Sequence, residues 1–199
     1  IFKSSFDKAN RSSINSDRGI NLDDALKIFE KIKTNFNLPI LTDVHNEEQC
    51  SQLKQDSIID IIQIPAFLCR QTDLLLAAGS TNKIINVKKG QFLSPTDVKN
   101  IFTKIETTNN KNIMITERGT TFGYNTLVND FKGIDIMKKY KYPVIFDATH
   151  SVQQPGGMGD KSGGQREHIP SLCKAAISIG VAGLFLSLIH ISEPTRQLC

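Results

Sequence analysis

The chain has 199 residues, a length within the range of one domain and sufficient to bury an apolar core without disulfide bonds. Its 39% hydrophobic and 22% charged residues are typical of a soluble globular protein, and no apolar run approaches the roughly 20 residues of a membrane-spanning helix. The net charge of +4 forms no basic stripe, and the four cysteines form no C-x-x-C pair. Composition therefore excludes a transmembrane protein, a nucleic-acid binder and a zinc knuckle.

Short apolar runs alternate with longer amphipathic stretches, which predicts repeated βα units around a parallel sheet. Strands are predicted over residues 1–5, 38–42, 57–62, 83–87, 112–116, 143–146 and 181–185. Helices are predicted over 22–36, 47–55, 72–78, 95–106 and 168–179, with Asn21 and Ser94 as N-caps of the first and fourth. About seven units are visible, whereas an eight-fold barrel typically has about 250 residues. The predicted fold class is α/β, an incomplete (β/α)8 TIM barrel without its first strand and last helix.

The residues that follow the predicted strands are nearly all polar. They are Lys3, Asp7, Lys8, Asp43, His45, Gln63, Asn86, Lys88, Lys89, Glu117, Arg118, Asp147 and His150. A single polar residue after a strand is more often a turn former or a helix cap than a catalyst. Several cations, however, would share one barrel mouth and repel one another: Lys3, Lys8, Arg11, Lys88 and Arg118. We therefore predict a substrate that carries phosphate and carboxylate groups.

A glycine-rich stretch follows the sixth predicted strand. Residues 155–164 (PGGMGDKSGG) lack the G-x-x-x-x-G-K-[ST] spacing of a nucleotide-binding P-loop. Their length and composition predict a mobile loop over the site that excludes water when substrate binds.

Four segments resemble the 3-deoxy-D-manno-octulosonate 8-phosphate (KDO 8-phosphate) synthase family: residues 3–13 (KSSFDKANRSS), 63–67 (QIPAF), 86–89 (NVKK) and 146–150 (FDATH). The resemblance implies condensation of phosphoenolpyruvate with D-arabinose 5-phosphate and water, releasing phosphate, in cytoplasmic lipopolysaccharide biosynthesis. A related synthase that uses erythrose 4-phosphate is a minor alternative, since it differs in the first segment. We expect a partial barrel of the phosphoenolpyruvate-dependent synthase superfamily over 1–186, in a chain whose true start is missing, and a non-native tail over 187–199.

The resemblance also implies which residues act. Phosphoenolpyruvate would be held by Lys3, Lys8, Gln63, Lys88 and Arg118 and the backbone of Ala66. The sugar phosphate would be held by Asn10, Arg11 and Ser12, with Arg70 reaching it from a neighbouring subunit of a homotetramer. Asp43 would orient the sugar, and the catalytic set would be Lys8, Asp43 and His150.

His150 matches a metal ligand of the family's metal-dependent branch, and residues 151–164 favour that branch over the metal-independent one. A divalent metal of unspecified identity is therefore expected, with no organic cofactor, nucleic acid or membrane partner. Two alternatives stay open. One is a Schiff-base aldolase using Lys88 or Lys89 as the nucleophile. The other is an inactive remnant that binds anions without turnover.

Overall fold

The computed structural model describes residues 1–10, 14–15, 17–154 and 163–188. These residues form two compact units. The first unit comprises Ile1–Gly90 and Asp97–Met114, and the second comprises Gln91–Thr96 and the described residues from Ile115 onward.

The first unit is a layer of parallel strands accompanied by helices. Its strands are β1 (Phe2–Lys3), β2 (Ile40–Asp43), β3 (Ile61–Ile64) and β4 (Ile84–Lys88), hydrogen-bonded in that order. Its helices are α1 (Leu22–Phe36), α2 (Glu47–Lys54), α3 (Thr72–Gly79) and α4 (Val98–Glu106), with α3 packed against both α2 and α4. A short 3-10 helix over Ala66–Leu68 follows β3.

The strand register of the first unit matters most for the site. Asp43 lies opposite Gln63 in the β2–β3 pair, and Gln63 lies opposite Asn86 in the β3–β4 pair. Because parallel strands in register carry paired residues on the same face, three polar side chains come together at one edge of the layer. Fully buried apolar residues such as Ile62 and Ile85 flank them.

Two helix starts test the predicted N-caps. The predicted cap of α1 is confirmed, since the Asn21 side chain accepts a hydrogen bond from the Asp24 backbone N–H at 2.9 Å. The helix predicted from Pro95 begins with a 3-10 turn over Pro95–Asp97, and regular α-helix starts only at Val98. The Ser94 hydroxyl accepts from the Thr96 backbone N–H at 3.3 Å, so it caps the 3-10 turn.

The strand predicted over 57–62 begins later, at Ile61. Asp56 explains the difference, because its Oδ1 accepts hydrogen bonds from the backbone N–H groups of Ile58 and Ile59 at 2.9 and 2.8 Å. This side-chain turn takes donors that a strand would need for its ladder.

The second unit contains parallel strands and two small hairpins. In chain order its strands are β5 (Ile113–Glu117, in this unit from Ile115), β6 (Thr120–Thr121), β7 (Leu127–Val128), β8 (Val144–Asp147), β9 (Gln153–Gln154), β10 (Gly163–Gly164) and β11 (Gly183–Phe185). Strands β5, β8 and β11 pair in parallel, whereas β6 with β7 and β9 with β10 form antiparallel hairpins. The helices are α5 (Phe131–Lys138) and α6 (Ile169–Ile179), which pack together.

Strand–helix alternation and parallel pairing in both units confirm the predicted α/β class, that of an incomplete TIM barrel. Helix α5 and both hairpins were not predicted, and residues 155–162 of the predicted mobile loop lie outside the described part of the chain. Among the described residues no helix combines the length and the apolar character of a membrane span.

Candidate active site

Asp43 is the centre of a hydrogen-bonded cluster in the first unit. Its carboxylate, at the carboxyl end of β2, accepts from the Lys3 ammonium at 3.0 Å and also from the Ser5 hydroxyl and the Gln63 side-chain amide. The Gln63 side-chain carbonyl in turn accepts from the Asn86 amide at 2.9 Å. Four of the polar residues predicted at the ends of β1 to β4, namely Lys3, Asp43, Gln63 and Asn86, therefore belong to one connected network.

The charge of Asp43 is stabilised in this network despite deep burial. Burial would raise the pKa of the Asp43 carboxyl, but the charge of Lys3, hydrogen bonds from Ser5 and Lys3, and the charge of Lys88 outweigh it and hold the pKa below its ordinary value. Asp43 is therefore an ionised acceptor at neutral pH, anchored by cations that the sequence had assigned to substrate binding.

Lys88 is the last residue of β4, and Lys89 follows it directly. Lys88 is 8% exposed and Lys89 is fully buried, with the Lys89 ammonium 3.4 Å from the Gly90 carbonyl oxygen. Ala66, whose backbone was predicted to bind phosphoenolpyruvate, is half-buried at the start of the 3-10 helix after β3. Arg70 is exposed, and its backbone carbonyl accepts from the Lys104 ammonium at 3.0 Å.

Lys8 lies at the base of a loop that Asp7 and Arg18 close. The Arg18 guanidinium donates to both carboxylate oxygens of Asp7, at 2.9 and 2.5 Å, and the Lys8 backbone N–H donates to the Arg18 carbonyl at 2.6 Å. Asn10 is exposed on this loop. The predicted ligands Arg11 and Ser12 lie outside the described residues, so their role stays a prediction.

Gly19 allows this closure. Its φ of +112° is unfavourable for other residues, and a Cβ there would lie 2.3 Å from the Phe6 carbonyl oxygen. The Phe6 carbonyl also accepts from the Ile20 backbone N–H at 3.0 Å. The chain can therefore return to the end of β1 only with glycine at this position.

Arg118 is the central residue of the second unit's cluster. It directly follows β5 and is 6% exposed. Its Nη2 donates to the Gln153 side-chain carbonyl at 3.0 Å, while its Nη1 is buried and meets no acceptor among the described residues. A buried guanidinium arm without an acceptor is costly, and an anionic ligand would satisfy it.

Two carboxylates accompany Arg118. The Glu117 carboxylate accepts from the backbone N–H groups of Arg118 and Gly119 at 2.9 and 2.7 Å. Burial lowers the pKa of the Arg118 guanidinium, whereas the charges of Asp147 and Glu117 act to raise it. Asp147 and Glu117 thus help to keep the buried cation charged.

Asp147 also holds His150. The fully buried Asp147 carboxylate, at the end of β8, accepts from the His150 backbone N–H at 2.9 Å and contacts its Nδ1 at 2.7 Å. A carboxylate on one ring nitrogen is the usual arrangement for a histidine that coordinates metal through the other nitrogen. Within the described part of the chain no group of three or more His, Cys, Asp or Glu residues could hold a metal.

Sequence reasoning missed two contributors. Ser5 lies two residues after Lys3, so the period-two alternation of a strand could have indicated that both side chains share a face. Gln153 follows a short 3-10 helix over His150–Val152, and no local pattern in the sequence relates it to Arg118.

Comparison with known proteins matches residues 1–198 to the model of the DAHP synthetase I family. The chain belongs to this family. It is similar to the 2-dehydro-3-deoxyphosphooctonate aldolase of Rickettsia bellii, with 57% identity over 188 residues that cover 94% of this chain and 68% of the relative. The proteins of the same name from Bartonella henselae and Brucella anthropi are 56% identical over 186 residues, covering 94% of this chain and 66% of each relative.

The chain thus spans about two thirds of the length of these curated relatives of the DAHP synthetase I family. The relatives carry the aldolase name that is the alternative designation of KDO 8-phosphate synthase, which confirms the family resemblance given by the four segments. The division at residue 186 and the assignment of individual ligands stay predictions.

Proposed function

We propose that the protein condenses phosphoenolpyruvate with D-arabinose 5-phosphate and water, giving 3-deoxy-D-manno-octulosonate 8-phosphate and phosphate. The observation that carries the proposal is the buried Arg118 Nη1, a charged donor with no acceptor among the described residues. A phosphate or carboxylate of the substrate supplies that acceptor. The names of relatives more than half identical in sequence support this product class.

Each cluster has its own part in this reaction. In the first unit, Lys3 and Lys88 bind the anionic groups of phosphoenolpyruvate, with Gln63 and the Ala66 backbone as hydrogen-bond donors. Lys8 assists them from the loop base. Asp43, ionised and held by Lys3, Ser5 and Gln63, accepts from a hydroxyl of the sugar and orients its aldehyde. Asn10, Arg11 and Ser12 receive the sugar phosphate.

The bond changes need positioning more than a protein nucleophile. The C3 carbon of the phosphoenolpyruvate double bond bonds to the aldehyde carbon of the sugar, and the aldehyde oxygen takes up a proton to become a hydroxyl. Water adds to C2, the carbon that bears the phosphate, and gives up a proton. Cleavage of the carbon–oxygen bond then releases inorganic phosphate. Lysine and arginine donors stabilise the charge that develops on the substrate oxygens, and buried donors are the more effective because water does not screen them.

We further propose that His150 is a metal ligand. Its Nδ1 is engaged by Asp147 at 2.7 Å, which fits a ring that coordinates through Nε2. A divalent metal bound there would act as a Lewis acid that orients the reactants. Asp147 holds the ring through Oδ2, while its Oδ1 accepts from the His150 backbone N–H.

The oligomeric part of the proposal concerns Arg70. Its side chain is exposed, as a residue that serves a neighbouring subunit would be in an isolated chain. We propose a homotetramer in which Arg70 contacts the sugar phosphate bound by the adjacent copy.

The decisive experiment measures phosphate release from phosphoenolpyruvate by the protein encoded by the complete gene. Release is expected with arabinose 5-phosphate and not without an aldehyde substrate. Equal turnover with erythrose 4-phosphate would instead support the related synthase for which the family model is named.

The position of Lys88 and Lys89 at the carboxyl end of β4 favours a second candidate, a Schiff-base aldolase, because an amine at a strand end could attack a substrate carbonyl. Borohydride treatment with substrate, followed by mass spectrometry, decides between the two. A trapped adduct on either lysine would support the aldolase, whereas the condensation proceeds with no covalent enzyme adduct.

A further inference from the structure

Arg118 is held at two separate points in the second unit. The Glu117 carboxylate accepts two backbone N–H groups directly after β5, and the Gln153 side-chain carbonyl accepts from the guanidinium Nη2. The other terminal nitrogen of the guanidinium, Nη1, is buried and contacts no acceptor in the described ranges. Glu117 and Gln153 thus fix Arg118, while its Nη1 donor stays available to a ligand.

Glu117 controls the direction in which the chain leaves the strand. Its side chain is 1% exposed, and its Oε1 is 2.9 Å from the Arg118 nitrogen and 2.7 Å from the Gly119 nitrogen. Gly119 has a φ of +93°, so the chain turns immediately after Arg118. A charged acceptor shared by two successive N–H groups stabilises this turn and with it the position of the Arg118 Cα.

Gln153 controls the orientation of the guanidinium. Because the guanidinium is planar and rigid, a hydrogen bond to Nη2 fixes the plane and therefore the direction of the Nη1 donors. Gln153 is half-buried on β9, whereas its neighbour Gln154 is exposed. The two glutamines differ in contact with Arg118 but share the same strand.

We propose that Glu117 and Gln153 are positioning residues that hold Arg118 with its Nη1 directed at the anion of phosphoenolpyruvate. The proposal rests on the proposed function, since it takes phosphoenolpyruvate as the ligand of Arg118. Neither residue needs to touch the substrate. Their effect passes through the guanidinium.

The first test compares Gln153→Leu with Gln154→Leu by titration calorimetry with phosphoenolpyruvate. Loss of one hydrogen bond to a charged donor is expected to weaken binding by about threefold to tenfold in Gln153→Leu, with no change in Gln154→Leu. The KM for arabinose 5-phosphate should stay at the wild-type value. Equal phosphoenolpyruvate affinity in the two variants would overturn the role of Gln153.

A double-mutant cycle separates positioning from a general structural effect. In an Arg118→Lys background the Gln153→Leu change should have less than about half of its effect on phosphoenolpyruvate affinity, because the planar group that it orients is gone. An undiminished effect in that background would mean that Gln153 acts through some other group.

For Glu117 the informative pair is Glu117→Gln and Glu117→Leu. Glutamine retains a carbonyl that can accept from both backbone N–H groups, so phosphoenolpyruvate affinity should stay within about threefold of wild type. Leucine removes the acceptor and should weaken binding by tenfold or more, equivalent to about 1.4 kcal/mol. If glutamine weakens binding as much as leucine, then the negative charge matters and the positioning role of Glu117 is wrong.

The outcomes distinguish this inference from the proposed function. Tight phosphoenolpyruvate binding that depends on Gln153, without turnover of arabinose 5-phosphate, would refute the function and leave the positioning role standing. If the wild-type protein turns over arabinose 5-phosphate but Gln153→Leu and Glu117→Leu both keep the wild-type affinity for phosphoenolpyruvate, the proposed function stands and the positioning role is refuted. A wild-type protein that binds no phosphoenolpyruvate would refute both.

Discussion

Replacing Asp43 with asparagine tests the central cluster of the first unit. The change keeps the shape of the side chain but removes the charge to which Lys3 donates at 3.0 Å. It also places an amide N–H₂ where Asp43 now offers only acceptors to Ser5, Gln63 and Lys3. The new amide N–H₂ then faces at least one of the groups that now donate to Asp43.

The expected loss is large for a single substitution. Removing one partner of a buried ion pair costs about 3–5 kcal/mol. The Lys3 side chain is 24% exposed, so water recovers part of that loss, and we expect a decrease of about 2–4 kcal/mol in the free energy of unfolding. For a chain of this size the melting temperature should fall by roughly 4–16 °C. Asp135, exposed on α5, provides the control, since Asp135→Asn should change stability by less than about 0.5 kcal/mol.

The pH dependence gives a second readout of the same variant. Because the pKa of Asp43 is lower in the folded protein than its ordinary value of 3.8, ionised Asp43 stabilises the fold at pH values above 3.8. That contribution is lost as the pH falls through the folded pKa. The stability difference between wild type and Asp43→Asn, measured by urea denaturation, should therefore narrow below pH about 4. A difference under about 1 kcal/mol at pH 7, or one that is constant with pH, would refute this account of the cluster.

Three further substitutions have defined outcomes. Arg118→Lys should reduce kcat/KM for phosphoenolpyruvate at least about tenfold, or about 1.4 kcal/mol, with unchanged circular dichroism. One ammonium cannot replace the two guanidinium nitrogens, of which Nη2 donates to Gln153 and Nη1 has no described acceptor. Wild-type kinetics would show that Arg118 does not bind this anion. Gly19→Ala should lower the unfolding free energy by about 1–3 kcal/mol, since its Cβ would meet the Phe6 carbonyl oxygen at 2.3 Å, and an unchanged melting curve would contradict this. Lys33→Met should lower the free energy of unfolding by about 1–2 kcal/mol in chemical denaturation, because the ammonium donates to Asp60 at 2.8 Å and to two backbone carbonyls. If Asp60→Asn causes no further loss of stability in the Lys33→Met background, the two residues are coupled.

The strands and most helices were predictable because their signals are local. Apolar runs located all the strands that pair in parallel, and the cap at Asn21 gave the start of α1 to the residue. The identity of the polar residues at the strand ends also followed, because parallel strands place their carboxyl ends on one side. Asp43, Gln63 and Asn86 are in contact for that reason.

The contacts that join distant segments were not predictable from the sequence. Asp7 was predicted among the polar residues that follow the strands, and it pairs with Arg18, 11 positions away along the chain. Gln153 binds Arg118 from 35 positions away along the chain. Helix α5 was missed because its eight residues include Gly133, a poor helix former, and present only a short apolar face.

In the structure, carboxylates accompany two of the cations that led to the prediction of an anionic substrate. Cations that lie together repel one another and need an anion, but nearby carboxylates already supply negative charge. Lys3 is paired with Asp43, and Arg118 lies close enough to Asp147 and Glu117 for their charges to act on it. The net charge of the cluster is therefore weaker evidence for an anionic ligand than the hydrogen-bond geometry. The carboxylates do not accept from the Arg118 Nη1 donor, which has no described acceptor. A substrate anion bound there would give the buried Nη1 the acceptor that it lacks beside the Nη2 hydrogen bond to Gln153, which favours recognition by geometry over nonspecific attraction of any anion.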